Sequence, residues 1–117
     1  MKWWYFYKMW AKPTQKQLDN LPKLGAQDGE HTKDTIVHGH FFVGGCDWYV
    51  TEFDGKDTFF GFAILMPGSG MSEWGYVSFN ELKSLKVQGF AEVDWDKHWT
   101  VRKVSEVDKI VQEGGSW

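Results

Sequence analysis

Three runs of the chain, Ile36 to Val43, Asp47 to Phe53 and Thr58 to Leu65, concentrate aromatic and β-branched residues between turn signals. This is the pattern of consecutive short strands that supply one aromatic core. Gly44-Gly45 turns the first run into the second. Asp54-Gly55, the strongest hairpin signal in the sequence, turns the second into the third. Residues near Trp48 to Phe53 should therefore pair antiparallel with residues near Thr58 to Ala63. Strict alternation puts Trp48, Val50 and Glu52 on one face of the middle strand and Tyr49, Thr51 and Phe53 on the other.

The flanking segments carry helix signals. Thr14 to Gln17 has the form of a capping box after Pro13, and Leu18, Leu21 and Leu24 recur behind it, so a short helix is predicted there, limited by Pro22. Gly25 to Glu30 reads as a polar loop ending near Asp34. Pro67-Gly68-Ser69-Gly70 makes a turn, Glu73 to Val77 a strand, and Ser78 to Glu81 a second capping box that opens another helix. Phe90 to Asp96 alternates Ala91, Val93 and Trp95 with Glu92, Asp94 and Asp96, a strand with one polar face, and Trp99 to Val101 extends the sheet. Ser105 to Asp108 forms a third box before Lys109-Ile110-Val111, and the tail from Gly114 to Trp117 is expected to fray. These elements predict an α+β fold, with a mainly antiparallel sheet of about four to six short strands and two or three short peripheral helices. Residues 1–117 read as a single domain: an aromatic N-terminal arm over 1–13, a core over 14–107, and a helix end and tail over 108–117.

Composition narrows the classes. Cys46 is the only cysteine, which excludes an intrachain disulfide and a multi-cysteine zinc site and fits a reducing compartment, with cytoplasm as the expected location. The segment from Met1 to Trp10 has too few apolar residues to span a bilayer and lacks a signal-peptide cleavage site, so no membrane is expected. The net charge is -3 and Arg102 is the only arginine, a balance that disfavours direct nucleic-acid binding. Eight tryptophans and 18% aromatic residues exceed what a core of this size needs. Exposed rings are the usual anchors of binding surfaces, which makes Trp3, Trp4, Trp10, Trp48 and Trp74 the expected partner-binding residues, with a tightly aromatic core as the alternative. For the arm, an edge strand packed on its own domain is the structural alternative.

Candidate chemistry comes with an ordinary alternative in each case. Glu92, Asp94 and Asp96 share a strand face, and Glu52 with Asp54 could make a second acidic pair. Such carboxylates can hold a divalent cation that activates water for phosphodiester hydrolysis, with His98 as proton carrier; the favoured reading is a half-buried strand wearing its charges toward solvent. His38 and His40 face one way and could be two ligands of a transition-metal site, but a third ligand from His31, His98 or a carboxylate is not fixed by local spacing. Cys46 lies beside Asp47, which would raise the thiol pKa and so disfavours a nucleophile. The glycine pairs lack the context of a phosphate loop. Aromatic rings on a sheet can stack single-stranded bases, and the acidic runs could imitate phosphates, but the charge balance favours neither. No cofactor is expected.

Leu21-Pro22-Lys23-Leu24, His40-Phe41-Phe42, Trp48 to Glu52, Phe59 to Phe62, Trp74 to Leu82 and Val104 to Val107 occur in a fixed order. Together they resemble the bacterial family catalogued as domain of unknown function 2958, over about Thr14 to Val107. Asp94 and Asp96 match the acid-x-Asp strand of that pattern. Gly44-Gly45-Cys46 departs from it, and the aromatic arm from Trp3 to Trp10 is added to it. The resemblance implies an accessory gene of plasmids, integrative elements or phages, and a habitat more than a mechanism. Such elements carry small proteins that block host defence. The expected function is therefore a non-enzymatic, anti-CRISPR or anti-restriction inhibitor that binds a host or element protein, such as a nucleic-acid-processing defence complex. A metal-dependent nuclease or single-stranded nucleic-acid-binding factor is the alternative.

Overall fold

Asp54 Oδ1 accepts hydrogen bonds from the backbone N–H groups of Lys56, Asp57 and Thr58 at 2.8, 2.8 and 3.0 Å. Those bonds hold its carboxyl below the ordinary value, and Gly55 supplies the φ of 87° that the turn requires. The predicted hairpin closes around this turn. In the computed structural model, which describes residues 12–87 and 91–117, it joins β3 (Cys46–Phe53) to β4 (Thr58–Ile64). Trp48 stands opposite Ala63 and Phe53 opposite Phe59, antiparallel as expected.

The other strands are β1 (Ile36–Val37), β2 (Gly39–Val43), β5 (Glu73–Ser78), β6 (Lys86–Val87), β7 (Ala91–Glu92), β8 (Asp94–Trp95) and β9 (Arg102–Lys103). Of these nine strands of the described residues, five form an antiparallel sheet in the order β5-β4-β3-β2-β8, while β1 pairs with β9 and β6 with β7. With three short helices among the described residues, α1 (Gln15–Asp19), α2 (Phe79–Ser84) and α3 (Asp108–Gln112), the fold is α+β. Among the described residues no helix is long and apolar enough to cross a membrane.

The sheet is covered on both faces. On one side Leu18 and Leu21 from the α1 region and Leu82 from α2 pack over Phe41, Trp48, Val50, Phe53, Phe59, Val93 and Trp95. On the other, Val104, Val107 and Ile110 cover Val37, Tyr49, Phe62 and Ile64. The face assignment of β3 differs from strict alternation because its register with β4 shifts between Val50 and Glu52. A bulge lodges one extra residue there and turns two consecutive side chains to the same side. Phe53 thereby joins Trp48 and Val50, while Thr51 and Glu52 share the opposite face.

Capping chemistry explains which helices start where expected. Thr14 and Gln17 close a reciprocal box, the Gln17 N–H donating to Thr14 Oγ1 at 3.1 Å and the Thr14 N–H to Gln17 Oε1 at 2.8 Å. Ser78 accepts from the Glu81 N–H at 3.2 Å and begins α2. The third box does not form. Val104–Glu106 is a 3₁₀ turn, α3 starts at Asp108, and Val107 occupies its N-cap position without a side-chain cap.

Three further expectations change. The strand read from Phe90 to Asp96 is interrupted at Val93, so Glu92 lies in β7 and Asp94 in β8. The segment Trp99 to Val101 is not a strand; the pairing residues are Arg102 and Lys103, opposite Val37 and Ile36. Nor is the tail frayed. The Gly115 N–H donates to Ile110 O at 2.9 Å, Trp74 Nε1–H donates to Gly115 O at 3.0 Å, and the Lys33 N–H donates to Trp117 O at 2.9 Å.

Candidate functional site

Two polar constellations lie on the face of the sheet that carries Tyr49 and Phe62. The first is built around His40 on β2. Its Nδ1 meets Asp96 Oδ2 at 3.0 Å and its Nε2 meets Asp47 Oδ1 at 2.7 Å, while Lys109 Nζ donates to Asp47 Oδ2 at 2.6 Å. The imidazole stacks on Tyr49 with centroids 4.5 Å apart and planes 6° apart, and Trp99 leans on it at 5.3 Å. Trp99 is fixed in turn by its Nε1–H on Val37 O at 3.0 Å and by the Arg102 guanidinium 4.0 Å over its ring.

Electrostatics follow from this packing. Asp47 is 4% exposed. Burial works to raise its pKa, but the bonds and charges of His40 and Lys109 outweigh burial and hold the carboxyl below its ordinary value. Burial, and after it the charge of Asp47, pushes the Tyr49 phenol well above its usual range. Both ring nitrogens of His40 are thus engaged by carboxylates within the fold. The arrangement ties β2, β3, the end of β8 and α3 together.

The second constellation is an open cleft of about 220 Å³ beside the β3 bulge. Its floor is Glu52, 5% exposed, whose Oε1 accepts from the Gly25 N–H and Oε2 from the Gln27 N–H, each at 2.9 Å. Gln27 is also locked. Its amide nitrogen donates to Ile36 O and Thr51 O at 3.0 and 3.1 Å, and its oxygen accepts from the Ile36 N–H at 2.7 Å. The polar loop from Gly25 to Glu30 is therefore pinned to β1 and β3. Phe60 and Trp74, stacked at 14° with centroids 5.9 Å apart, and Trp117, 71% exposed, supply aromatic surface. Asp28 and Glu30 stand at the exposed rim, and no basic side chain lines the cleft among the described residues.

The residues expected from sequence fall in different places. Trp3, Trp4 and Trp10 lie outside the described residues. Trp48 is 6% exposed and belongs to the aromatic core, with an edge that lines a hollow beside Ala63, Leu65 and Tyr76. Trp74 lines the cleft. Asp96 is committed to His40 through Oδ2 and accepts from the His98 N–H at 3.0 Å through Oδ1. Asp54 is committed to its turn and Glu52 to the cleft floor, so those two do not form a pair. His38 lines a separate hollow with Asn20, Asp96 and Trp99, and burial lowers its pKa. Among the described residues no group of three or more His, Cys, Asp or Glu is placed to hold a metal ion. Cys46 points its thiol at Leu65 O at 3.4 Å.

Sequence reasoning missed Asp47, Lys109, Gln27 and Trp117. Their partners lie far along the chain, and only the burial of a polar residue in an aromatic strand marks Asp47. The model of the family described as "Protein of unknown function (DUF2958)" matches residues 12–116, and the chain belongs to that family. No curated protein and no solved structure matches it.

Proposed function

We propose that this family member is a non-enzymatic binding protein of a mobile genetic element. On this reading it engages a protein partner through the cleft over Glu52 and inhibits a nucleic-acid-processing defence complex of the host, of the anti-CRISPR or anti-restriction type. The single observation that carries the reading is the cleft itself: carboxylates and aromatic rings gathered at one opening, with no basic side chain among its described lining residues. Enzymes that handle polyanions present basic surfaces to them. An acidic and aromatic cleft complements such a surface, and aromatic anchors concentrate binding energy. The habitat implied by the family resemblance supplies the biological half of the proposal. The non-enzymatic half draws on His40 and Asp96, whose hydrogen-bonding groups are spent within the fold.

Expression of this protein in cells that carry a CRISPR or restriction defence should raise phage plating by orders of magnitude. The purified protein should leave single- and double-stranded DNA and RNA intact in magnesium or manganese. Cleavage that requires the metal and disappears in Asp94→Asn would overturn the proposal in favour of a nuclease. The Asp96→Asn change weakens the bond to His40 and should cost about 1 kcal/mol of stability.

A further inference from the structure

We infer that the cleft over Glu52 receives the guanidinium of one arginine side chain presented by the partner. The inference deepens the binding reading above and rests on it. A volume of about 220 Å³ lies below the roughly 300–1,000 Å³ of pockets that enclose drug-sized ligands, so the cleft suits a single side chain and not a cofactor. Its charge selects a cation: Glu52 lies at the floor and Asp28 and Glu30 at the rim, with no compensating base among the described lining residues.

Geometry then favours arginine over lysine. Each Glu52 oxygen accepts one backbone N–H, from Gly25 and from Gln27, which fixes the plane of the carboxylate and leaves each oxygen with further accepting capacity. Two fixed acceptors side by side match the paired donors of a guanidinium fork, whereas an ammonium is a point charge that gains nothing from their spacing. The near-parallel rings of Phe60 and Trp74, together with Trp117, add flat faces on which a planar cation stacks. The bulge at Thr51 is what makes this possible, since it turns Glu52 away from the Trp48 and Val50 face and toward Phe60.

Titration of the full chain with three blocked tripeptides, Gly-Arg-Gly, Gly-Lys-Gly and Gly-citrulline-Gly, followed by two-dimensional NMR, tests this directly. The arginine peptide should shift the Trp74 and Trp117 indole N–H resonances saturably. Lysine should bind several-fold more weakly, and citrulline, the same shape without charge, about tenfold or more weakly. Glu52→Gln should abolish the arginine preference. Because that change touches the loop bonds to Gly25 and Gln27, Trp117→Ala serves as the second variant: its side chain is exposed, so the fold should survive while arginine binding falls. Equal binding of arginine and citrulline, or the absence of saturable shifts, would overturn the inference. Failure here with phage plating still restored places the partner on another surface. Specific arginine binding without any effect on plating leaves the cleft assigned and removes the counter-defence reading.

Discussion

Replacing Asp47 with alanine should lower stability by about 3 kcal/mol and the melting temperature by roughly 10 °C, although the residue touches no predicted ligand. The residue is 4% exposed, and its carboxylate links His40 Nε2 to Lys109 Nζ. Removing it leaves an imidazole nitrogen buried against Tyr49 without its partner, and buried pairs cost most when one partner is deleted. Lys109 is half-exposed and recovers water, so its share is small. The sign of the pH dependence follows from the lowered Asp47 pKa. A carboxylate whose folded-state pKa is depressed contributes stability that is complete above its unfolded value, near 3.8, and is lost as pH falls through the folded value. The gap between wild type and Asp47→Ala should therefore be full at neutral pH and narrow on acidification below that range. Thermal melts at several pH values check both points; a constant gap, or one that widens in acid, contradicts the assignment.

Gly61→Ala should cost about 3 kcal/mol or more, an unusual penalty for one methyl group. A Cβ at Gly61 would lie 2.2 Å from Tyr49 O and 2.9 Å from Val50 Cα, which are backbone atoms of the central strand. Neither can move without opening the β3–β4 ladder, because adjacent strands are held about 4.8 Å apart. Glycine inside a strand marks such a close backbone approach. Gly75→Ala is the control, since Gly75 pairs with Gly61 on the next strand but a Cβ there meets nothing within 4 Å. Denaturant unfolding of both variants should leave Gly75→Ala within about 0.5 kcal/mol of wild type. Equal effects for the two would show that Gly61 is not a steric requirement.

The strand order around the Asp54-Gly55 turn was legible because period-two alternation and turn chemistry are local signals. Two capped helices were legible for the same reason, as Thr14 and Ser78 act within their own turns. The bulge was not: an extra residue between Val50 and Glu52 is invisible in a run where nearly every position is buried, and it reverses the faces of Glu52 and Phe53. Trp48 illustrates a second limit, since alternation alone does not tell a tryptophan packed mostly into a core from one standing at the surface. The polar sites were least accessible. His40 meets Asp96 across 56 residues and Glu52 meets Gly25 across 27, and only the topology of the sheet brings such pairs together.

The account rests on the claim that the protein works by binding through the cleft and that the His40 constellation is structural. Phage plating on defence-carrying cells, compared between wild type and a Trp117→Ala/Asp28→Asn variant with an unchanged melting temperature, tests that claim most directly. The account predicts that wild type restores plating and the cleft variant does not. Restoration by the folded cleft variant as complete as by wild type would contradict it.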